Sequence, residues 1–154
     1  MMSVARFPLE QHPLQCEFYA ELIRIADWWA THTVDHKHGG FVGEISHDNR
    51  VIEHASKGVI LNARILWFFS EAAQYVDNPT YRACAERAYD YLTRYFVDIE
   101  FGGFYWEVSA TGEPINTKKQ VYAHAFVIYA LSSYYQLTQD DNALTLAVNT
   151  FELM

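Results

Sequence analysis

Cationic side chains are scarce in this sequence. Eleven Lys and Arg face nineteen Asp and Glu, giving a formal net charge of −8 and an isoelectric point near 5.2. Such a chain gains nothing from a phosphate backbone, which argues against a nucleic-acid partner. An anionic membrane surface would repel it. Long apolar runs are missing too. No stretch reaches the roughly 18 apolar residues that span a bilayer. The opening MMSVARFPLEQHPLQC has no apolar h-region and no signal-peptide cleavage pattern. These absences lead to the expectation of a cytoplasmic protein with no membrane partner. Cysteine is limited to Cys16 and Cys84. Both fall inside predicted helices and neither belongs to a C-x-x-C pair, so the sequence predicts two buried thiols in a reducing compartment.

What the chain has in quantity is apolar material. Hydrophobic residues make up 51% of its 154 residues and charged ones 19%, enough for a sizeable core and against disorder. Aromatics reach 16%. Core packing accounts for most such rings, although their faces also match the C–H faces of a sugar.

The hydrophobic periodicity predicts an all-α chain of five helices broken by two glycine-marked hairpins. The first helix spans about 13–33, with Phe18, Leu22, Ile25 and Trp29 as its apolar stripe. A small β-hairpin is predicted over 41–52, turning at Ser46-His47-Asp48-Asn49. The second helix, about 56–75, is apolar nearly all round and therefore buried on most sides. Asn78-Pro79 closes it and opens the third, about 80–97, whose single stripe is Tyr81, Cys84 or Ala85, Ala88, Leu92 and Tyr95. A second hairpin follows Gly102-Gly103. The fourth helix, about 119–137, is again apolar nearly all round. The fifth starts near Asp140 with a stripe of Leu144, Ala147, Phe151 and Met154.

The strongest internal signal is a repeat. Gly39-Gly40-Phe41-x-x-Glu44 recurs as Gly102-Gly103-Phe104-x-x-Glu107, an offset of 102 − 39 = 63 residues. Each copy precedes a lysine (Lys57; Lys118 and Lys119) and then an apolar helix. Such a period indicates an array of helical hairpins. One-sided and all-apolar helices alternate, which suits outer and inner rings of an α/α barrel. Repeat units cannot bury their lateral faces alone. The open edge must be covered by further repeats or by a homo-oligomeric partner.

Two long runs carry a family resemblance. They are His38-Gly39-Gly40-Phe41 with Lys57-Gly58-Val59-Ile60-Leu61-Asn62-Ala63-Arg64-Ile65-Leu66-Trp67-Phe68-Phe69-Ser70, and Gly102-Gly103-Phe104-Tyr105-Trp106 with Tyr122-Ala123-His124-Ala125-Phe126-Val127-Ile128-Tyr129-Ala130-Leu131-Ser132. They resemble the N-terminal signature of the N-acylglucosamine 2-epimerase superfamily, above all its cellobiose 2-epimerase branch. The resemblance implies an (α/α)6 barrel, of which residues 1–154 form the first part, and a carbohydrate 2-epimerase of the cellobiose or glucose–mannose type. It implies a sugar substrate, no metal and no cofactor.

The implied chemistry removes the acidic proton beside the carbonyl of an open-chain aldose and returns one from the other face. It needs two groups with pKa values near neutrality, for which histidine is suited, and a fixed cation for the enediolate oxygen. By resemblance, the working histidines lie on later inner helices, beyond Met154. Arg64 matches the family's arginine, expected as a catalytic and substrate contact; its rival role is a buried ion pair. Tyr122 is expected to touch the sugar, Trp106 to wall the cleft, and Asn62 to orient the loop or Arg64. His124 points about 200° from Tyr122 on a helical wheel and is expected to be a satisfied core histidine.

Other motifs in the sequence point elsewhere. His32-x-x-x-His36 with Asp35 and His38 has metal-like spacing but sits where a helix frays into a glycine loop. Glu44 and Glu107 suggest a hydrolase pair, yet their equivalence by repeat argues for one structural job in each hairpin. Neither Gly-Gly pair has a phosphate loop's strand–loop–helix context. Two alternatives to an epimerase stay open: an aldose–ketose isomerase on the same barrel, and a non-catalytic binding or assembly module. Incubated alone with cellobiose or mannose in heavy water, this 154-residue chain is expected to give neither a C2-deuterated epimer nor a ketose. Product analysis by NMR checks this.

Overall fold

The structure is a computed structural model that describes residues 13–154. Five α-helices are present among the described residues: α1 Pro13–His32, α2 Val59–Tyr75, α3 Pro79–Tyr91, α4 Val121–Thr138 and α5 Asp141–Glu152. Helices α2 and α4 lie side by side as an inner pair. α3 packs on α2 and α5 on α4 as outer partners, while α1 touches both α2 and α3. The core lies between these layers, with Ala63, Leu66, Phe69, Tyr81, Ala88, Val127 and Leu131 all buried.

Local chemistry sets most helix ends. Asn78 caps α3 by accepting from the Thr80 amide at 3.0 Å, and Pro79 occupies the first helical position, where its missing N–H costs nothing. Asp140 caps α5 through the Asn142 amide at 3.0 Å. Two boundaries depart from expectation. α2 begins at Val59 rather than near 56, because Lys57–Gly58 forms a short strand, β1. β1 pairs antiparallel with β2 (Glu107–Val108), which pairs with β3 (Pro114–Asn116). Similarly, α3 ends at Tyr91 and Leu92–Phe96 winds into one π-helical turn.

Other expectations need correction. The predicted hairpin over 41–52 shrinks to a single bridge, Ile45 to Val51; Phe41 bridges back to Val34 at the end of α1. On α1 the buried position is Ala26, flanked by Tyr19, Leu22, Ile23, Trp29 and Ala30, whereas Phe18 is 73% exposed. Its helical wheel is therefore turned relative to the predicted stripe. On α5, Ala143, Ala147 and Thr150 face inward, while Leu144, Val148 and Phe151 form a second, uncovered stripe. Small residues let α5 approach α4 closely, leaving the larger ones outside. Cys84 is buried but Cys16 is exposed, so only one thiol sits in the core.

The repeat is anchored by a buried ion pair that the sequence pattern only half revealed. Lys57 Nζ donates to Asp35 Oδ2 at 2.7 Å and to the Gly39 carbonyl at 2.8 Å. Asp35 Oδ1 takes the Lys37 and His38 amides. In the second repeat, Lys119 Nζ donates to Asp98 Oδ2 at 2.6 Å, and Asp98 Oδ1, 63 residues after Asp35, takes the Glu100 and Phe101 amides. Each aspartate thus ties its Gly-Gly turn to the foot of the next inner helix. Burial pushes the Asp35 carboxyl up, but the Lys57 ammonium and two amides outweigh it and hold it below the usual carboxylate range. Lys119 does the same for Asp98. Glycine is required at Gly40, where φ is +61° and a Cβ would stand 2.5 Å from Cγ of Tyr91.

The shared role expected for Glu44 and Glu107 is not seen. Glu107 accepts from the Ser56 hydroxyl, whereas Glu44 is exposed and contributes only its carbonyl, to the Ile52 amide at 3.1 Å. His124 is a core histidine, 4% exposed, whose Nε2 accepts from the Phe104 amide at 3.0 Å.

Two predictions follow from these buried polar groups. Replacing Lys57 by Met leaves Asp35 buried without its cation and is expected to cost about 3 kcal/mol, read from urea unfolding; the partly exposed Lys119 is expected to cost less. For His124, burial lowers the pKa below the ordinary 6.5. The folded state then binds fewer protons than the unfolded one, so stability is complete above about pH 6.5 and declines as pH falls below it. A protonated ring would also oppose an N–H to the Phe104 amide. Thermal melts between pH 7 and 5 should show this decline, and His124→Asn, which copies the Asn62 of the first repeat, should flatten it.

Candidate functional site

The inner helices start 121 − 59 = 62 residues apart, so their positions correspond at that spacing. Asn62 corresponds to His124, Arg64 to Phe126, and Trp67 to Tyr129. The last two pairs line an open groove of about 420 Å³ between α2 and α4.

Arg64 is exposed to this groove and forms no hydrogen bond or ion pair among the described residues. Although this helix was expected to be buried on most sides, Arg64 sits on its exposed, groove-facing side. A buried ion pair with a glutamate is not its role here. A planar, permanently charged fork left free beside aromatic rings is suited to bind oxygen atoms of a ligand.

Around it the groove is aromatic. Trp67 and Tyr129 stack across the helix pair at 5.4 Å between centroids and 28° between planes. Tyr122, at the start of α4 and 63% exposed, meets Phe126 edge to face at 5.0 Å. Tyr122, Phe126 and Tyr129 recur at steps of four and three on one helix face. Tyr122 therefore stands one turn before Phe126, which corresponds to Arg64, while Trp67 and Tyr129 pair about one turn further along the helices.

The other two expected residues stand apart. Asn62 is buried; its Nδ2 donates to the Gly58 carbonyl at 2.9 Å, bracing the first turn of α2, and its Oδ1 has no partner. Trp106 precedes β2, where its carbonyl accepts from the Val59 amide at 3.0 Å. Its ring is half-buried under Lys118, whose Nζ lies 5.5 Å from the ring centroid. The structure thus puts Arg64 on the groove and Tyr122 beside it, in contact with the lining residue Phe126, with Asn62 and Trp106 supporting the foot of α2. Trp67, Phe126 and Tyr129 were missed in the sequence. Their signal was there: they lie three residues from Arg64, or four and seven from Tyr122, on the same faces.

The histidine cluster at the end of α1 is differently employed. His32 Nδ1 contacts the Trp28 carbonyl at 2.9 Å and its ring stacks on Trp28, while Asp35 is committed to Lys57. Among the described residues no group of three or more His, Cys, Asp or Glu is placed to hold a metal. Nor is any described helix long and apolar enough to cross a membrane.

Comparison with known proteins agrees with this architecture. Residues 24–154 match the family model described as N-acylglucosamine 2-epimerase (GlcNAc 2-epimerase). The cellobiose 2-epimerase of Bacteroides fragilis is 45% identical over 139 residues, covering 90% of this chain. This chain spans 36% of that relative's length. The solved structure of cellobiose 2-epimerase from Spirochaeta thermophila superposes with a TM-score of 0.83 at 36% identity, over 95% of this chain and 37% of that one. A D-mannose isomerase structure shares the fold, with a TM-score of 0.78 at 20% identity. The five helices are thus part of an (α/α)6 barrel, and the chain belongs to the N-acylglucosamine 2-epimerase family.

Proposed function

We propose that this chain forms the amino-terminal wall of a carbohydrate 2-epimerase site, and that the groove between α2 and α4 receives the reducing end of a sugar such as cellobiose. Residues 1–154 then form a partial α/α barrel whose ring is closed by further repeats. The observation that carries this is Arg64: a guanidinium with no hydrogen bond or ion pair among the described residues, on an inner helix and ringed by Trp67, Phe126 and Tyr129.

The chemistry needs such a group. Removing the proton from carbon 2 of an open-chain aldose sends the electron pair onto the carbonyl oxygen, giving an enediolate. A cation already in place stabilises that oxyanion without reorganisation. Returning a proton to the opposite face of carbon 2 inverts it. Arg64 serves as the cation, Tyr122 contacts a sugar hydroxyl at the mouth, and Asn62 fixes the turn from which Arg64 projects. Trp106 backs that turn from β2. His124 is not one of the proton carriers, because its Nε2 is already engaged by the Phe104 amide.

The test is a hybrid in which this chain replaces the matching 139 residues of the B. fragilis relative. In heavy water the hybrid is expected to convert cellobiose to its C2 epimer with deuterium at carbon 2. Arg64→Ala should lower kcat/KM by about 10²–10³-fold without changing the fold, since the side chain is exposed. A ketose product, or an Arg64→Ala hybrid as active as its parent, would overturn the proposal.

A further inference from the structure

The stacked pair one turn below Arg64 has no role in the chemistry above, and its geometry is unusual for core packing. Tyr129 is 52% exposed although it lies in the middle of α4. One face of its ring is covered by Trp67 at 5.4 Å, so the opposite face is open to the groove. Trp67 is packed against the core, and its indole N–H is buried without a hydrogen-bond partner. The tryptophan is thus held by ring contacts, as a rigid backing.

We infer that Tyr129, backed by Trp67, is the floor of the groove and a specificity-determining platform for the reducing-end sugar. A flat, electron-rich ring face complements the C–H face of a pyranose or its open chain. Its position along α4 corresponds to Trp67 on α2, about one turn on from the level shared by Arg64 and Phe126. A sugar resting on Tyr129 is stopped with its carbonyl end beside the guanidinium rather than beyond it. This rests on the groove being a sugar site, and it adds what sets the depth to which the sugar enters. Tyr129 acts by contact with the substrate; Trp67 is a positioning residue that acts through Tyr129.

Two measurements test it. Saturation-transfer NMR with cellobiose and the 154-residue chain should show transfer to the sugar's ring protons. Tyr129→Phe should retain that transfer and Tyr129→Ala should weaken binding about tenfold, the loss of one ring contact. In the hybrid enzyme, Tyr129→Ala should raise KM about tenfold and Tyr129→Phe should restore it, while deuterium still enters at carbon 2. No transfer from the wild-type chain, or equal binding and KM in Tyr129→Ala, overturns the platform. Failure of the epimerase proposal looks different: the hybrid then incorporates no deuterium although the transfer, and its dependence on the ring at 129, persist.

Discussion

The Asp–Lys pairs, buried in the first repeat and partly so in the second, are the constraint on which the rest depends. Each spans from the loop after an outer helix to the foot of the following inner helix, closing over a Gly-Gly turn. A carboxylate removed from water is costly unless its oxygens are matched. Here each aspartate is matched by two loop amides and an ammonium. That requirement fixes the loop's path, the loop fixes where α2 and α4 begin, and their starting points bring Arg64 level with Phe126 and Trp67 level with Tyr129. The groove is thus a consequence of two ion pairs outside it.

The helices themselves were largely legible from the sequence, since apolar periodicity and the caps at Asn78 and Asp140 are local signals. The alternation of inner and outer helices was legible as well, from the contrast between the all-apolar α2 and α4 and the one-sided α3. What escaped was non-local. The pairing of Lys57–Gly58 with Glu107–Val108 joins strands fifty residues apart, and two-residue strands carry no period to read. The stripe on α1 was misplaced because Phe18 is large and apolar yet uncovered. On α5, alanines make the contact while larger side chains point outward.

Of the candidate site, Arg64 and Tyr122 come from family resemblance; Arg64 lines the groove, and Tyr122 lies next to it against Phe126. Its aromatic lining was overlooked because rings in an apolar helix look like core until the neighbouring helix is known. The aspartates were overlooked for another reason. Asp35 repeats at Asp98 with the same spacing as the glycines, but beside His32, His36 and His38 it reads as part of a histidine cluster rather than as a repeat position.

The small sheet has a mechanical consequence. β1 belongs to the first repeat, whereas β2 and β3 belong to the second, and the Val59 amide that opens α2 is itself held by the Trp106 carbonyl. The two repeats are therefore joined by this sheet at the end where both inner helices start. Opening the first repeat here would unpair one edge of the second's strand β2, and the 109–113 loop joins the strands that hold the base of the helix carrying the guanidinium. Evolution of that distant turn thus offers a way to retune the groove without touching a residue that lines it.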